Sequence, residues 1–446
     1  MSWLTHRRLL TFALVAWGTL ALIGLVGGPV LGHDEAAFAL VARGDTPLAT
    51  WLYRSVGTVG IAKIGIALGG ADWQLRLISV VLNAQVPVAA YAVGRVAFSA
   101  RTGAWAAAVL AGTHPMVLRS AELLSDLPAV ACILAGVAVL ISELPREGGP
   151  RWRVVLAGPL FAAAFYLRYG STPVVVIALA AAVVLWWPAV VRRPGRLLVM
   201  FGSLAVLLIP HLLHSRDATG TALGILKLSA GMPRQEYVGD GLVTYLTSNP
   251  FMYYGFLTAP VMVAGLAGLI RERRKVAWYL AAVALGQVVV LGLESHGQPR
   301  YVFVATALLV VLGVEVVARH RLVPARVAFA AVVASWLSLV IVEPIYFRHV
   351  DTARAPLIEA ANLFRARRDG RPCAVIALIV PQLMWYSGCE VYAAGLVRAP
   401  LPADHDRYAV SFARWPIVLP EVLAIQHLDA TSLPVADPRA EVWLLH

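Results

Sequence analysis

Gly32-His33-Asp34-Glu35-Ala36-Ala37-Phe38 places two adjacent carboxylates directly after the first long apolar run of the chain. Ionisable groups beside a bilayer are costly to desolvate, which marks such a pair as a functional-site candidate. Partial burial at a water–lipid boundary raises a carboxylate pKa toward neutrality, as general-base chemistry needs, while a neighbouring Arg pulls it down. The same stretch also reads as plain architecture, with Asp34 capping a short helix from Glu35 to Arg43 that closes at Gly44.

Two further clusters carry ionisable side chains. Glu122-Leu123-Leu124-Ser125-Asp126 precedes an apolar run that opens Leu127-Pro128. In a helical turn Glu122 and Asp126 stand at i and i+4, where like charges repel, more strongly when desolvated. Arg119 one turn back, a distant Arg or a divalent metal has to offset that repulsion. The plainer readings are a helix cap for Asp126 and an Arg119 ion pair for Glu122. Glu294 to Tyr301 gathers an acid, an imidazole and a guanidinium (Glu294, His296 and Arg300) in one Gly/Pro turn between two apolar runs. That concentration of residue types points to function, against a turn that needs only polarity.

What must position these residues is a membrane. A hydrophobic fraction of 59%, a charged fraction of 14% and a mean hydropathy of +0.74 exclude an ordinary soluble domain. The net charge of +12 comes from short Arg clusters between apolar runs. That is the positive-inside pattern, so the basic balance reports topology and not nucleic-acid binding. His6-Arg7-Arg8 precedes an apolar run over 9–31, read as an uncleaved anchor with a cytoplasmic N-terminus. Later apolar runs, with basic turns such as Arg192-Arg193 and Arg271 to Lys275, predict about eleven spans, the last over 327–345.

The expected fold is thus a polytopic α-helical membrane protein with a small C-terminal extracytoplasmic α/β domain. Residues 1–347 form the membrane domain, with outer loops over 32–74 and 214–252, and residues 348–446 form the tail. Interface-plane helices are expected in the first loop, including 48–68. In the tail, helices are expected over 357–367 and 421–427 and strands over 373–377, 407–412 and 441–445, with a loop around Ala399-Pro400. Cys373 and Cys389 lie on the oxidising side and are expected to form a disulfide, the alternative being two buried thiols too far apart to bridge. Cys132, inside an apolar run, reads as an inert thiol.

On this topology Arg43, Arg54, Lys63, Arg119, Arg168, Lys227, Arg234 and Arg300 fall on the outer side, against the charge bias. Outer-face phosphate binding explains them, because guanidinium pairs with phosphate through two parallel hydrogen bonds. Snorkelling of long stems along the bilayer explains them too.

Gly32 to Arg43 resembles the Asp-Glu motif after the first span of bacterial GT-C glycosyltransferases, the type that includes aminoarabinose transferases and protein O-mannosyltransferases. Ser125-Asp126-Leu127-Pro128, Leu167-Arg168-Tyr169-Gly170 and Gln298-Pro299-Arg300-Tyr301 resemble short polar motifs of that superfamily. The resemblance covers roughly residues 1–347 and treats the tail as a variable appendage. The 57–65 region departs from it, lacking a Lys-Pro-Pro-like run. The resemblance implies an inverting transfer of a sugar from a polyprenyl-phosphate donor to an acceptor hydroxyl on a lipid, glycan or protein, at the outer face of the inner membrane. It makes Asp34 the base with Glu35 in support. It assigns Asp126, Glu122, His296 and Glu294 to the acceptor or a cation, and Arg300, Arg168, Tyr301 and Lys63 to the donor phosphate. The polyprenyl-phosphate sugar is a co-substrate. A divalent cation is compatible with the resemblance, which does not require one. No Gly-rich nucleotide motif follows a strand, in keeping with a lipid-linked donor.

Two other classes compete. A secondary transporter needs polar or broken helices at mid-membrane and paired halves, whereas these runs are mostly uncharged at their centres and the sequence shows no inverted repeat. A non-catalytic scaffold presenting the tail leaves the outer-face motifs unexplained.

Overall fold

A computed structural model describes residues 5–46, 54–146, 151–230, 236–368, 370–397 and 400–446. Arg234, Ala399 and the beginning of the 48–68 stretch lie outside the described residues. Apolar runs in lipid satisfy their backbone groups internally only as helices or closed barrels, and this chain is mostly helical. Among the described residues seven helices are long and apolar enough to cross a membrane: His6–Gly27, Asp72–Ala97, Asp126–Glu143, Pro194–Thr219, Lys275–Glu294, Pro299–Arg319 and Ala325–Arg367. Shorter apolar helices are Val56–Ala67, Trp152–Leu167, Tyr169–Leu185 and Thr258–Leu269.

The chain divides into two compact units. The first comprises Met1–Val26, Pro47–Gly69 and Trp73–Glu343; the second comprises Gly27–Thr46, Gly70–Asp72 and Pro344–His446. This differs from a cut at 347/348, because the acidic stretch after the first span belongs with the tail and not with the spanning helices.

In the first unit, small residues let helices touch. A Cβ on Gly94 would stand 2.5 Å from the Gly103 Cα, so the helices Gln85–Ala97 and Ala100–Ala111 pack backbone to backbone. Arg196 is buried and closes the C-terminal end of the helix Asp126–Glu143 by donating to the carbonyls of Glu143 at 2.7 Å and Arg146 at 2.6 Å.

A charged network joins the segment before Lys275–Glu294 to the end of Phe303–Arg319. Arg274 and Arg319 donate to Glu272 at 2.7 and 3.0 Å, and Arg274 and Thr102 donate to Glu315 at 3.1 and 2.8 Å. The Arg274 guanidinium, then backbone N–H groups, hold the Glu272 carboxyl down at about 2, against its burial. The network therefore stabilises fully above the ordinary value of 4.5 and loses its contribution as pH falls toward about 2. Arg274 is 38% exposed, which limits the contribution to about 1 kcal/mol. Glu272→Gln is expected to lower the melting temperature of detergent-solubilised protein by about 2 °C at neutral pH. The gap should narrow as the pH is lowered through 4 and 3 toward about 2; a gap constant with pH would count against the network.

The second unit holds a five-stranded sheet in the order β2-β1-β3-β5-β4. The strands are β1 (Cys373–Ala377), β2 (Glu390–Ala393), β3 (Asp406–Phe412), β4 (Ala430–Leu433) and β5 (Ala440–Leu445). β1 pairs in parallel with β2 and β3, and β5 pairs antiparallel with β3 and β4. Every residue of β1 is buried, as a central parallel strand requires. Cys373 and Cys389 form a disulfide with Cα atoms 4.8 Å apart, closing the loop that contains the helix Val380–Ser387. The expected separate helix over 357–367 is instead the end of one 43-residue helix, Ala325–Arg367, which runs through Pro344 and Pro356. No glycine stops it between those prolines.

Candidate active site

In the first unit the structure brings together Asp126, Arg168, Arg300 and Tyr301. Asp126 is not the expected cap; Ser125 is the N-cap, and Asp126 is the first helical residue. Its side chain is 6% exposed and forms an ion pair in close contact with Arg168, while Arg300 Nη1 lies 3.9 Å from its Oδ2. Both guanidinium groups lie over the Tyr301 ring, at 4.9 and 5.6 Å from its centre. These four residues, with Gly170 and Gln287, line one recess, where two guanidinium groups face a single carboxylate. The balance of charge favours an anion.

Local structure explains why the arginines stand there. Arg168 takes an extended conformation between the helix Ala157–Leu167 and the turn Tyr169–Ser171. The Leu167 carbonyl at that break accepts the hydroxyls of Ser55 at 2.5 Å and Thr58 at 3.2 Å. Gly57 between them allows the approach, since a Cβ there would stand 2.6 Å from the Tyr166 carbonyl oxygen. Arg300 sits in the 3-10 turn Pro299–Val302. Gln287 fixes that turn, donating to the Tyr301 carbonyl and accepting the Ala305 N–H, both at 2.6 Å. Gln298 accepts from Arg300 Nε at 2.6 Å and bonds through its amide nitrogen to His296 Nε2 at 2.8 Å. His296 therefore stands behind Arg300 as a support. Tyr245 is close enough for the charge of Arg168 to be felt at its hydroxyl; burial pushes that phenol up to about 12, so it stays protonated, against smaller opposing pulls from Ser295 and Arg168.

Other expected site residues fall elsewhere. Glu122 pairs with Arg119 at 2.7 Å. Residues 118–125 form turns and bends, so no i, i+4 relation links Glu122 to Asp126. Glu294 is exposed at the end of its helix, and Lys63 is exposed on Val56–Ala67; neither lines the recess. Gln287 and Tyr245 were missed, and Gln298 was named only as part of the Gln298-Pro299-Arg300-Tyr301 motif, without a role of its own. A lone glutamine in an apolar run was the available signal for Gln287; Tyr245 gave none.

The acidic motif lies in the second unit, on the helix His33–Arg43. Its N-cap is Gly32, and Glu35, not Asp34, closes the N-terminus by accepting the Gly32 N–H at 2.8 Å. The helix starts two residues earlier than expected and ends as expected at Gly44, whose φ of 93° suits glycine. Glu35 is buried, Asp34 half-buried and His33 exposed. The capping reading of Asp34 is therefore replaced by a role for Glu35.

Asp126, Glu122 and Glu35 already answer Arg168, Arg119 and the Gly32 N–H. Among the described residues no three His, Cys, Asp or Glu side chains converge.

Residues 47–214 match the family model described as dolichyl-phosphate-mannose-protein mannosyltransferase. No curated protein matches the chain by sequence. Among solved structures, ArnT from Cupriavidus metallidurans bound to undecaprenyl phosphate superposes with a TM-score of 0.69 at 13% identity, covering 98% of this chain and 97% of that one. The apo form of the same protein gives a TM-score of 0.71 at the same identity and coverage. The Archaeoglobus fulgidus oligosaccharyltransferase AglB, in complex with an inhibitory peptide and a dolichol-phosphate, gives 0.56 at 13% identity, over 92% of this chain and 69% of that one. Residues 47–214 thus carry the mannosyltransferase sequence pattern within an ArnT-like fold, and the resemblance to the polyprenyl-phosphate-dependent GT-C glycosyltransferases is borne out.

Proposed function

We propose that the protein transfers a sugar from a polyprenyl-phosphate donor to an acceptor hydroxyl at the outer face of the inner membrane, with inversion at the anomeric carbon. The observation that carries this reading is the recess in which Arg168 and Arg300 face the single carboxylate of Asp126. Undecaprenyl phosphate bound to ArnT, a protein of similar fold, supports it. In the reaction the acceptor oxygen attacks the anomeric carbon, and its proton passes to the Asp34 carboxylate. The bond from that carbon to the phosphate oxygen breaks, and the polyprenyl phosphate leaves with the bonding pair. Arg300 and Arg168 stabilise the charge that develops on it. Asp126 offsets the repulsion between the two guanidinium groups and keeps them aligned, and His296 acts through Gln298 on Arg300. Glu122, Glu294 and Lys63 take no part in this scheme.

Purified protein is expected to carry a co-purifying polyprenyl phosphate, bare or sugar-linked, visible by mass spectrometry after organic extraction. The Arg168→Gln/Arg300→Gln variant should lose most of it. Wild-type protein with no such lipid, or a double variant retaining it fully, would refute the phosphate site. The proposed orientation places the N-terminus and the Lys275 turn inside and the tail outside. Reporter fusions after Lys275 and at His446 should then report opposite sides.

A further inference from the structure

The segment leading into the acidic helix is held by side chains from distant parts of the chain, all within the second unit. The Tyr386 hydroxyl accepts the Leu31 N–H at 2.6 Å and donates to Asp72 Oδ2 at 2.5 Å. Trp385 Nε1 donates to the other Asp72 oxygen at 3.3 Å. One residue upstream, Asp351 accepts the Val30 N–H at 3.0 Å and Arg354 donates to the Val30 carbonyl. At the far end of the helix, Arg43 lies 4.1 Å above the Trp385 ring, and the Thr46 hydroxyl reaches the Met384 sulfur at 3.8 Å. Two consecutive backbone amides before the helix and the residues around its C-terminus are thus anchored. Three of the anchors, Met384, Trp385 and Tyr386, are consecutive on the helix Val380–Ser387, which lies inside the disulfide-closed loop.

We propose that Tyr386 and Asp72, backed by Asp351 and Arg354, are positioning residues for the acidic helix, so that the sheet-bearing tail sets where Asp34 stands during sugar transfer. The proposal rests on the reading of Asp34 as the base. Leu31 is fully buried, so its N–H has no water to turn to when the phenol oxygen is removed. The Tyr386 hydroxyl serves as acceptor and donor at once, and one atom couples the backbone before the helix to Asp72. A base must stand within hydrogen-bond reach of the acceptor hydroxyl. A displacement of about 1 Å costs on the order of 10²-fold in rate.

Tyr386→Phe keeps the ring and removes only the hydroxyl. In the purified full-length protein in nanodiscs, hydrogen exchange of peptides spanning 28–40 is expected to speed up about tenfold, with β1 and β3 unchanged. In a transfer assay kcat should fall about 10- to 100-fold, while KM for the polyprenyl-phosphate donor stays within about twofold. Asp72→Ala removes the partner on the other side of the same hydroxyl and should reproduce both changes. Unaltered exchange over 28–40 in both variants overturns the clamp, whatever catalysis does. Faster exchange throughout the sheet makes Tyr386 a folding residue and also overturns the proposal. Faster exchange confined to 28–40 with unchanged kcat overturns the positioning role. If Asp34→Asn is then also active in the same assay, the assignment of the base has failed as well.

Discussion

Asp34→Asn is expected to lower sugar transfer by about 10²–10⁴-fold, the range typical for loss of a general base. Asn keeps the size and much of the hydrogen-bonding shape of Asp but cannot take up the acceptor proton. The fold should tolerate it, because the N-terminus of the helix His33–Arg43 is closed by Gly32 and Glu35 and not by Asp34. Melting temperature and co-purifying lipid are therefore expected to match wild type. Glu35→Ala should behave in the opposite sense. It leaves the Gly32 N–H without its carboxylate partner and costs about 1 kcal/mol of stability, whatever its effect on rate. Rates with a purified polyprenyl-phosphate sugar donor, set beside thermal melts of both variants, separate the two roles. A near-normal rate for Asp34→Asn removes the proposed base, since the N-cap of this helix is Gly32 and not residue 34.

The second large effect is expected at the recess of the first unit, and its two charge types should fail differently. Arg300→Gln removes a guanidinium proposed to face the leaving phosphate, and kcat should fall about 10²–10³-fold, as for loss of one donor to a developing anion. Stability should change little, because Arg300 is only 3.9 Å from Asp126 and Arg168 remains as the close partner of that carboxylate. Asp126→Ala, in contrast, leaves Arg168 and Arg300, 24% and 15% exposed, without the carboxylate that lies between them. Breaking a buried pair by removing one partner costs about 3 kcal/mol or more, so this variant should lose stability along with activity. Urea or thermal unfolding of the two variants in the same detergent is the comparison to make. Equal destabilisation by Arg300→Gln and Asp126→Ala would contradict the division of labour between phosphate binding and support.

The sequence alone determined the helical, membrane-spanning character of the chain and several of its ends. Apolar length and backbone hydrogen-bond satisfaction are local properties, so runs such as 276–293 and 302–318 translate directly into Lys275–Glu294 and Phe303–Arg319. The alternation and turn residues of the tail likewise marked β1, β3 and β5, and the expectation that the tail lies on the oxidising side suggested the bond that joins Cys373 and Cys389. Short edge strands were not legible: β2 and β4 have four residues each, too few for a period-two signal, and neither is buried along its length as β1 is.

Charge partners were beyond the sequence for a different reason. Asp126 had three cations available to it in the chain's motifs, and only the packing of its helix beside the break at Arg168 and the turn at Arg300 selected two of them, leaving Arg119 to Glu122. The acidic helix shows the same limit most clearly. Its start depended on whether Glu35 or Asp34 reached the free N–H of Gly32, a matter of side-chain geometry. Its attachment to the tail depended on Tyr386, Asp72 and Asp351, which no pattern in the sequence connects to Leu31 and Val30. Hydropathy and periodicity report which face of an element is buried. Which distant residue completes a buried hydrogen bond is decided only when the chain has packed, because until then water satisfies every such group equally well.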